Sequence, residues 1–178
     1  MKLFKHLKTV HNHRKAVRKL CFKCGLYWQG LTHDLSKYSL AELIPSVKYW
    51  TGKRAPSETE IEAQGFSEGW LHHMHRNRHH FEFWVDLAHG NPYLLCDMPL
   101  KYIAESFCDR VGAAKVYLGD KYKDVSPYQY LVKNGEHSRK YMSEFSYNTL
   151  AKWLVWLASY GEDYACAEIR KILKNGRI

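Results

Sequence analysis

Apolar residues recur every three or four positions through almost the whole chain, and that spacing leaves the α-helix as the main conformation open to it. Leu3, Leu7, Val10, Val17, Leu20, Cys21 and Cys24 mark one face of a first helix running to about Gly25, a residue suited to the left-handed conformation that ends helices. A second helix is predicted over about 26–37, and a third from Ser39 to Trp50, with Glu42 as capping-box partner. After a polar loop over 51–57, Ser57-Glu58-Thr59-Glu60 opens a short helix interrupted at Gly65. The spacing then predicts one long helix over about 68–88, ended by His89-Gly90-Asn91-Pro92. Pro99 starts the next helix, with Tyr102, Ile103, Phe107, Val111 and Ala114 at core spacing. A loop over 120–127 leads to helices from Pro127 to Asn134 or Lys140 and from Ser143 to Lys174. No strand-like alternation persists, and no hairpin signal joins two β-rich runs. The expectation is an all-α, compact bundle of about six to eight helices. It forms a single domain over 1–178, with C-terminal helices over about 127–174 packed on a motif-bearing part over about 1–118.

Bulk properties narrow the function classes. Hydrophobic residues make up 46% and aromatics 15% of the 178 residues, enough for a real core. No apolar run approaches the ~20 residues of a membrane span. The opening Met1-Lys2-Leu3-Phe4-Lys5-His6 has no apolar signal core, so a cytoplasmic protein without a membrane partner is expected. Five cysteines without an export signal argue against a disulfide framework, and the pair Cys21 and Cys24 reads as core thiols on one helix face.

Histidine is the unusual component. Of 11, five (His72, His73, His75, His79 and His80) fall within nine residues. The most informative string is Leu31-Thr32-His33-Asp34-Leu35-Ser36-Lys37, where adjacent imidazole and carboxylate offer mixed N and O donors suited to Mn, Fe, Ni, Zn or Mg. The alternative for that string is Asp34 or Ser36 as a helix cap with His33 filling the core. A helical hairpin turning at Gly25 would bring His13 near His33. On one long helix, His73, Asn77, His80 and Trp84 would share a face, with His72, His75, His79 and Glu82 on its neighbour. Asp109, among the apolar neighbours of a core helix, is costly without a partner or a metal.

The order His13, His33-Asp34, His72/His73, His79-His80, Asp109 resembles the HD-domain superfamily of metal-dependent phosphohydrolases. Its Leu-x-His-Asp-x-x-Lys signature is matched by Leu31, His33, Asp34 and Lys37. The further histidines are similar to those of its binuclear branch, which includes the HD-GYP phosphodiesterases, although the Gly-Tyr-Pro string is absent. Here His73 and His79 stand six residues apart, so one helix would have to supply both. The strings Thr-His-Asp-Leu-Ser-Lys and Asn-x-His-His-x-Glu also resemble those of a family of small uncharacterised proteins. The resemblance covers about residues 13–114 and implies one or two divalent metal ions, identity open. Their ligands would come from His13 (or His11), His33, Asp34, His73, His79, His80 and Asp109. It also implies Lys37 and Arg110 as phosphate contacts, Glu82 as the carboxylate orienting a ligating imidazole, and hydrolysis of a phosphate ester of a nucleotide or small metabolite. Asp34, Lys37, Glu82 and Arg110 are thus the expected catalytic set.

Other classes predict different behaviour. The net charge of +9, from 27 Lys and Arg against 18 Asp and Glu, and the basic first helix allow an all-α nucleic-acid-binding or interaction module without catalysis. His11-Asn12-His13 spells the HNH nuclease string but lies mid-helix, without the β-hairpin those enzymes need. Trp153, Trp156, Tyr160 and Tyr164 form a stripe at helical spacing that reads as core or a dimer interface. His6, His89 and His137 have no assigned role.

Overall fold

A computed structural model describes residues 2–52, 54–86, 93–133 and 135–176, with only the backbone of 135–137. The described residues form ten α-helices and one two-stranded sheet, so the fold is all-α with more, shorter helices than the spacing predicts. The core is built by α1 (Lys2–Lys23), α6 (Leu100–Leu118), α9 (Glu144–Tyr160) and α10 (Glu162–Asn175). They contribute Val17, Leu20, Ile103, Phe107, Val111, Leu150, Trp153, Leu154 and Ile169 to one buried cluster. α1 ends as expected, with Gly25 at φ 81°. Cys21, Cys24, Cys108 and Cys166 are buried in the same core, as the thiol reading of the first pair requires. No helix among the described residues is long and apolar enough to cross a membrane.

α1 and α6 approach closely because Gly112 has no side chain there: a Cβ on it would lie 2.6 Å from Val17 Cγ2. The second predicted helix is shorter than its spacing implies. α2 covers Tyr27–Thr32, a sharp turn follows at His33 and Asp34, and a 3-10 turn covers Leu35–Tyr38. Asp34 is the one described non-glycine residue with positive φ, at 54°. α3 (Leu40–Lys48) starts after Ser39, but the expected capping box does not form: Ser39 makes no side-chain cap bond, and the Glu42 carboxylate turns instead to two histidines. α4 (Pro56–Gln64) opens on Pro56 rather than on a Ser57 cap, since proline's fixed φ already suits the first helical position; it ends at Gly65, as expected.

The largest departure is the long histidine helix. α5 covers only Glu68–Met74, capped by Ser67 and anchored by the buried Glu60, which accepts from Ser67 Oγ at 2.5 Å and Glu68 N at 3.2 Å. The Asn77 side chain donates at 2.8 Å to the His73 carbonyl, which also accepts from Arg76 N and Asn77 N, and these bonds close the end of the helix. Residues 75–80 therefore form turns, followed by a 3-10 turn at Phe81–Trp84 and strand β1 (Val85–Asp86), antiparallel to β2 (Leu94–Leu95). The shared faces assigned to His72 through Trp84 do not exist, and the stop at 89–92 lies outside the described residues. The chain continues through α7 (Ser126–Lys133) and α8 (Gly135–Tyr141). The predicted helix over 143–174 is two, because Gly161 at φ 83° separates α9 from α10. Its aromatic stripe divides accordingly: Trp153 is core, while Tyr160 and Tyr164 are exposed and belong to different helices.

Candidate metal centre

Four segments distant in sequence converge between α1 and α6. α1 supplies His13, the turn after α2 supplies His33 and Asp34, the end of α5 supplies His73, and the turn beyond it supplies His79 and His80. Glu105 and Asp109, four residues apart on α6, face the same space. Among the described residues, three groups of possible ligand atoms, each mutually within 4.8 Å, could hold a metal ion: His13, His33, Asp34 and Asp109; Asp34, His73, His79 and His80; and His33, His79 and Glu105.

Asp34 belongs to the first two groups through different oxygens. Its Oδ2 lies 3.4 Å from His13 Nε2 and 3.5 Å from His33 Nε2. Its Oδ1 lies 3.4 Å from His73 Nε2 and 3.5 Å from His79 Nε2. Asp109 Oδ1 closes the first group, 3.0 Å from His13 Nε2 and 3.5 Å from His33 Nε2. The hairpin at Gly25 does bring the first two histidines together, with Nε2 atoms 3.4 Å apart; His11 is exposed and takes no part.

Most of the donors are buried, with His80 and Asp109 partly exposed. Asp34 is 1% and His33 2% exposed. Asp34 Oδ1, His79 Nε2 and His80 Nε2 are buried without a hydrogen bond. Such orphans are rare in proteins, and N and O atoms aimed at one point fit a divalent cation. Burial alone would raise the Asp34 and Asp109 pKa values, but His33 and Lys37 beside Asp34, and His13 and His33 beside Asp109, hold both carboxyls well below their usual range. Burial alone would lower His33, but Asp34, Asp109 and Glu105 hold it well above its usual value. Desolvation, reinforced by His79 and His73, pushes His80 well down, leaving it neutral.

Two carboxylates that the sequence reading did not assign to the centre, Glu105 and Glu42, orient three of these rings. Glu105 Oε1 lies 3.0 Å from His33 Nδ1 and 3.2 Å from His79 Nδ1. Glu42 Oε2 lies 2.8 Å from His73 Nδ1, and its Oε1 lies 2.7 Å from His72 Nδ1. A carboxylate only accepts, so the Nδ1 atoms of His33, His73 and His79 carry the proton and these three rings present Nε2 to the interior. Arg14 holds the turn itself, donating from Nε to the His33 carbonyl at 2.7 Å and from Nη2 to the Leu31 carbonyl at 3.0 Å. Two signals were present in the sequence. Glu105 stands four residues before Asp109 on a core helix, and Arg14 directly follows His13.

The remaining expected residues lie around the centre. Lys37 Nζ is 2.6 Å from Asp34 Oδ2, and that anion holds the lysine pKa up against the effect of burial. Arg110 is half-buried, with Nε lacking a hydrogen bond. Glu82 lies on the 3-10 turn Phe81–Trp84 and is in none of the three groups. His72 is half-buried on the outer edge and His75 is exposed. His6 is buried on α1, its pKa lowered by burial and by Lys37, so it sits closer to the centre than its unassigned role implied. His89 and the His137 side chain lie outside the described residues.

A family model described as "Family of unknown function (DUF5662)" matches residues 2–154, a stretch that contains every residue of the centre. No curated protein and no solved structure matches the chain.

Proposed function

We propose that this chain, which belongs to the DUF5662 family of unknown function, is a divalent-metal-dependent phosphohydrolase of HD-domain type with a two-ion centre. The observation that carries the proposal is the placement of Asp34, whose two oxygens face separate sets of imidazoles. One ion would take His13, His33, Asp34 and Asp109; the other would take Asp34, His73, His79 and His80. The donor set is N and O without thiolate, which suits Mn, Fe, Ni, Zn or Mg.

A cation held there would supply Lewis acidity and lower the pKa of water so that hydroxide is available as nucleophile near neutral pH. The chain's own residues do the rest. Asp34 and Asp109, ionised by their surroundings, would offset the positive charge without having to release protons to solvent. Lys37, about one-third exposed, is the cation placed to hold a substrate phosphate at the rim of the centre. Arg110, on α6 next to Asp109, is the second phosphate contact in this reading, and Glu82 a further orienting carboxylate. The substrate is a phosphate ester of a nucleotide or small metabolite, and the excess of 27 basic over 18 acidic residues favours its approach.

The test is metal analysis of the purified chain, combined with hydrolysis of p-nitrophenyl phosphate and bis(p-nitrophenyl) phosphate with and without added Mn²⁺. Expected are one to two ions per chain, metal-dependent release of nitrophenol, and loss of both in Asp34→Asn. Absence of metal, together with unchanged stability when His33 and Asp34 are replaced by Ala, overturns the proposal.

A further inference from the structure

Glu105 touches rings from both halves of the centre through one atom. His33 lies in the group with His13 and Asp109, while His79 lies in the group with His73 and His80. Their Nδ1 atoms approach the same Glu105 oxygen, at 3.0 and 3.2 Å, and their ring centroids stand 4.5 Å apart. Each ring then directs Nε2 at a different oxygen of Asp34, at 3.5 Å in both cases. Glu42 provides the contrast. Within the two groups it contacts His73 alone, and its other oxygen turns outward to His72.

From this shared oxygen we infer that Glu105 is a positioning residue coupling the two ion sites, so that filling one favours filling the other. The inference rests on the two-ion reading above. Glu105 is 6% exposed on α6, and one of its oxygens lies within reach of both imidazoles. Fixing either ring on an ion fixes the carboxylate, and the second ring then meets an acceptor already in place. The ordering cost falls on the first ion, and the second binds with less of it left. Glu105 also supplies a buried negative charge common to both sites, where each ligating imidazole is neutral once an ion is bound.

The test is calorimetric titration of the metal-stripped full chain with Mn²⁺, using wild type, Glu105→Ala, Glu105→Gln and Glu42→Ala. Wild type is expected to take up two ions with a Hill coefficient above 1. Glu105→Ala is expected to weaken both ions ~10–100-fold and abolish the cooperativity. Glu105→Gln keeps an accepting oxygen without the charge, so both ions should weaken by a smaller, similar factor, and this variant decides the matter if the alanine chain does not fold. Glu42→Ala should weaken one ion only. Two ions in wild type with only one, or neither, weakened in the Glu105 variants overturns the coupling and leaves the two-ion reading standing. No uptake by wild type overturns the two-ion reading itself.

Discussion

Val17 on α1 and Gly112 on α6 meet backbone to backbone: a Cβ at position 112 would lie 2.6 Å from Val17 Cγ2 and 3.2 Å from Val17 N. The same two helices carry His13 and Asp109, whose Nε2 and Oδ1 stand 3.0 Å apart. A packing contact in the apolar core therefore sets the width of the metal centre one helical turn away. Gly112→Ala should force the helices apart and destabilise the fold by about 2 kcal/mol, lowering Tm by ~4–8 °C. Adding Val17→Ala should restore part of the loss, and thermal melts of the single and double variants check both statements. A single variant as stable as wild type contradicts the contact.

Bound ions should stabilise the fold by mass action, because the ligands come from segments as far apart as His13 and Asp109 and are assembled only in the folded chain. At a free ion concentration 100 times Kd, each ion adds about 2.7 kcal/mol, or roughly 5–10 °C in Tm for a chain of this size. A chelator should remove this gain and Mn²⁺ should restore it, with Asp34→Asn insensitive to both.

Arg14 spans the turn that presents His33 and Asp34, with bonds to the Leu31 and His33 carbonyls. Removing it should loosen both ligands at once. We expect Arg14→Ala to weaken metal binding about 10-fold, with Arg14→Lys intermediate because an ammonium cannot fork across two carbonyls. Equal affinity in all three chains would show that the turn holds its shape unaided.

Glu162, at the start of α10, accepts from Lys23 at 2.5 Å and also from Lys115, tying α10 to α1 and α6. Burial alone would raise its pKa, but the two lysines outweigh it and hold the folded value below the ordinary one. A depressed carboxylate stabilises the fold above its unfolded pKa, and that contribution is lost as pH falls through the folded value. Glu162→Gln should thus be less stable than wild type at pH 7, by about 1 kcal/mol or less. The gap should close as pH drops below the ordinary carboxylate range, which urea midpoints across the acid range will show.

Much of this was legible from spacing. The α1 face, the stop at Gly25, Pro99 before α6, and the convergence of His13 with His33-Asp34 all follow from helical periodicity and turn chemistry. The broken histidine helix did not. Its residues fit a helical repeat, but a tertiary bond from Asn77 to Ser36 Oγ, at 2.8 Å, and the Asn77 cap on the His73 carbonyl favour a turn instead. Glu42 was misread for a related reason. A capping box and an outer-sphere carboxylate look alike in sequence, and only the fold shows that two imidazoles compete for the side chain. The other overestimated helices end on backbone conformation, at Asp34 with φ 54° and at Gly161 with φ 83°.

The left-handed backbone of Asp34 places a double demand on that position. The carboxylate has to offer two oxygens, and the residue has to tolerate φ 54°, which excludes β-branched and bulky side chains. Few substitutions meet the second demand, and none of those meets the first. Descendants of this chain that gave up the metal while keeping the fold should therefore carry Asn or Gly at the equivalent of Asp34. A metal-free relative with valine or isoleucine there would need a rebuilt turn.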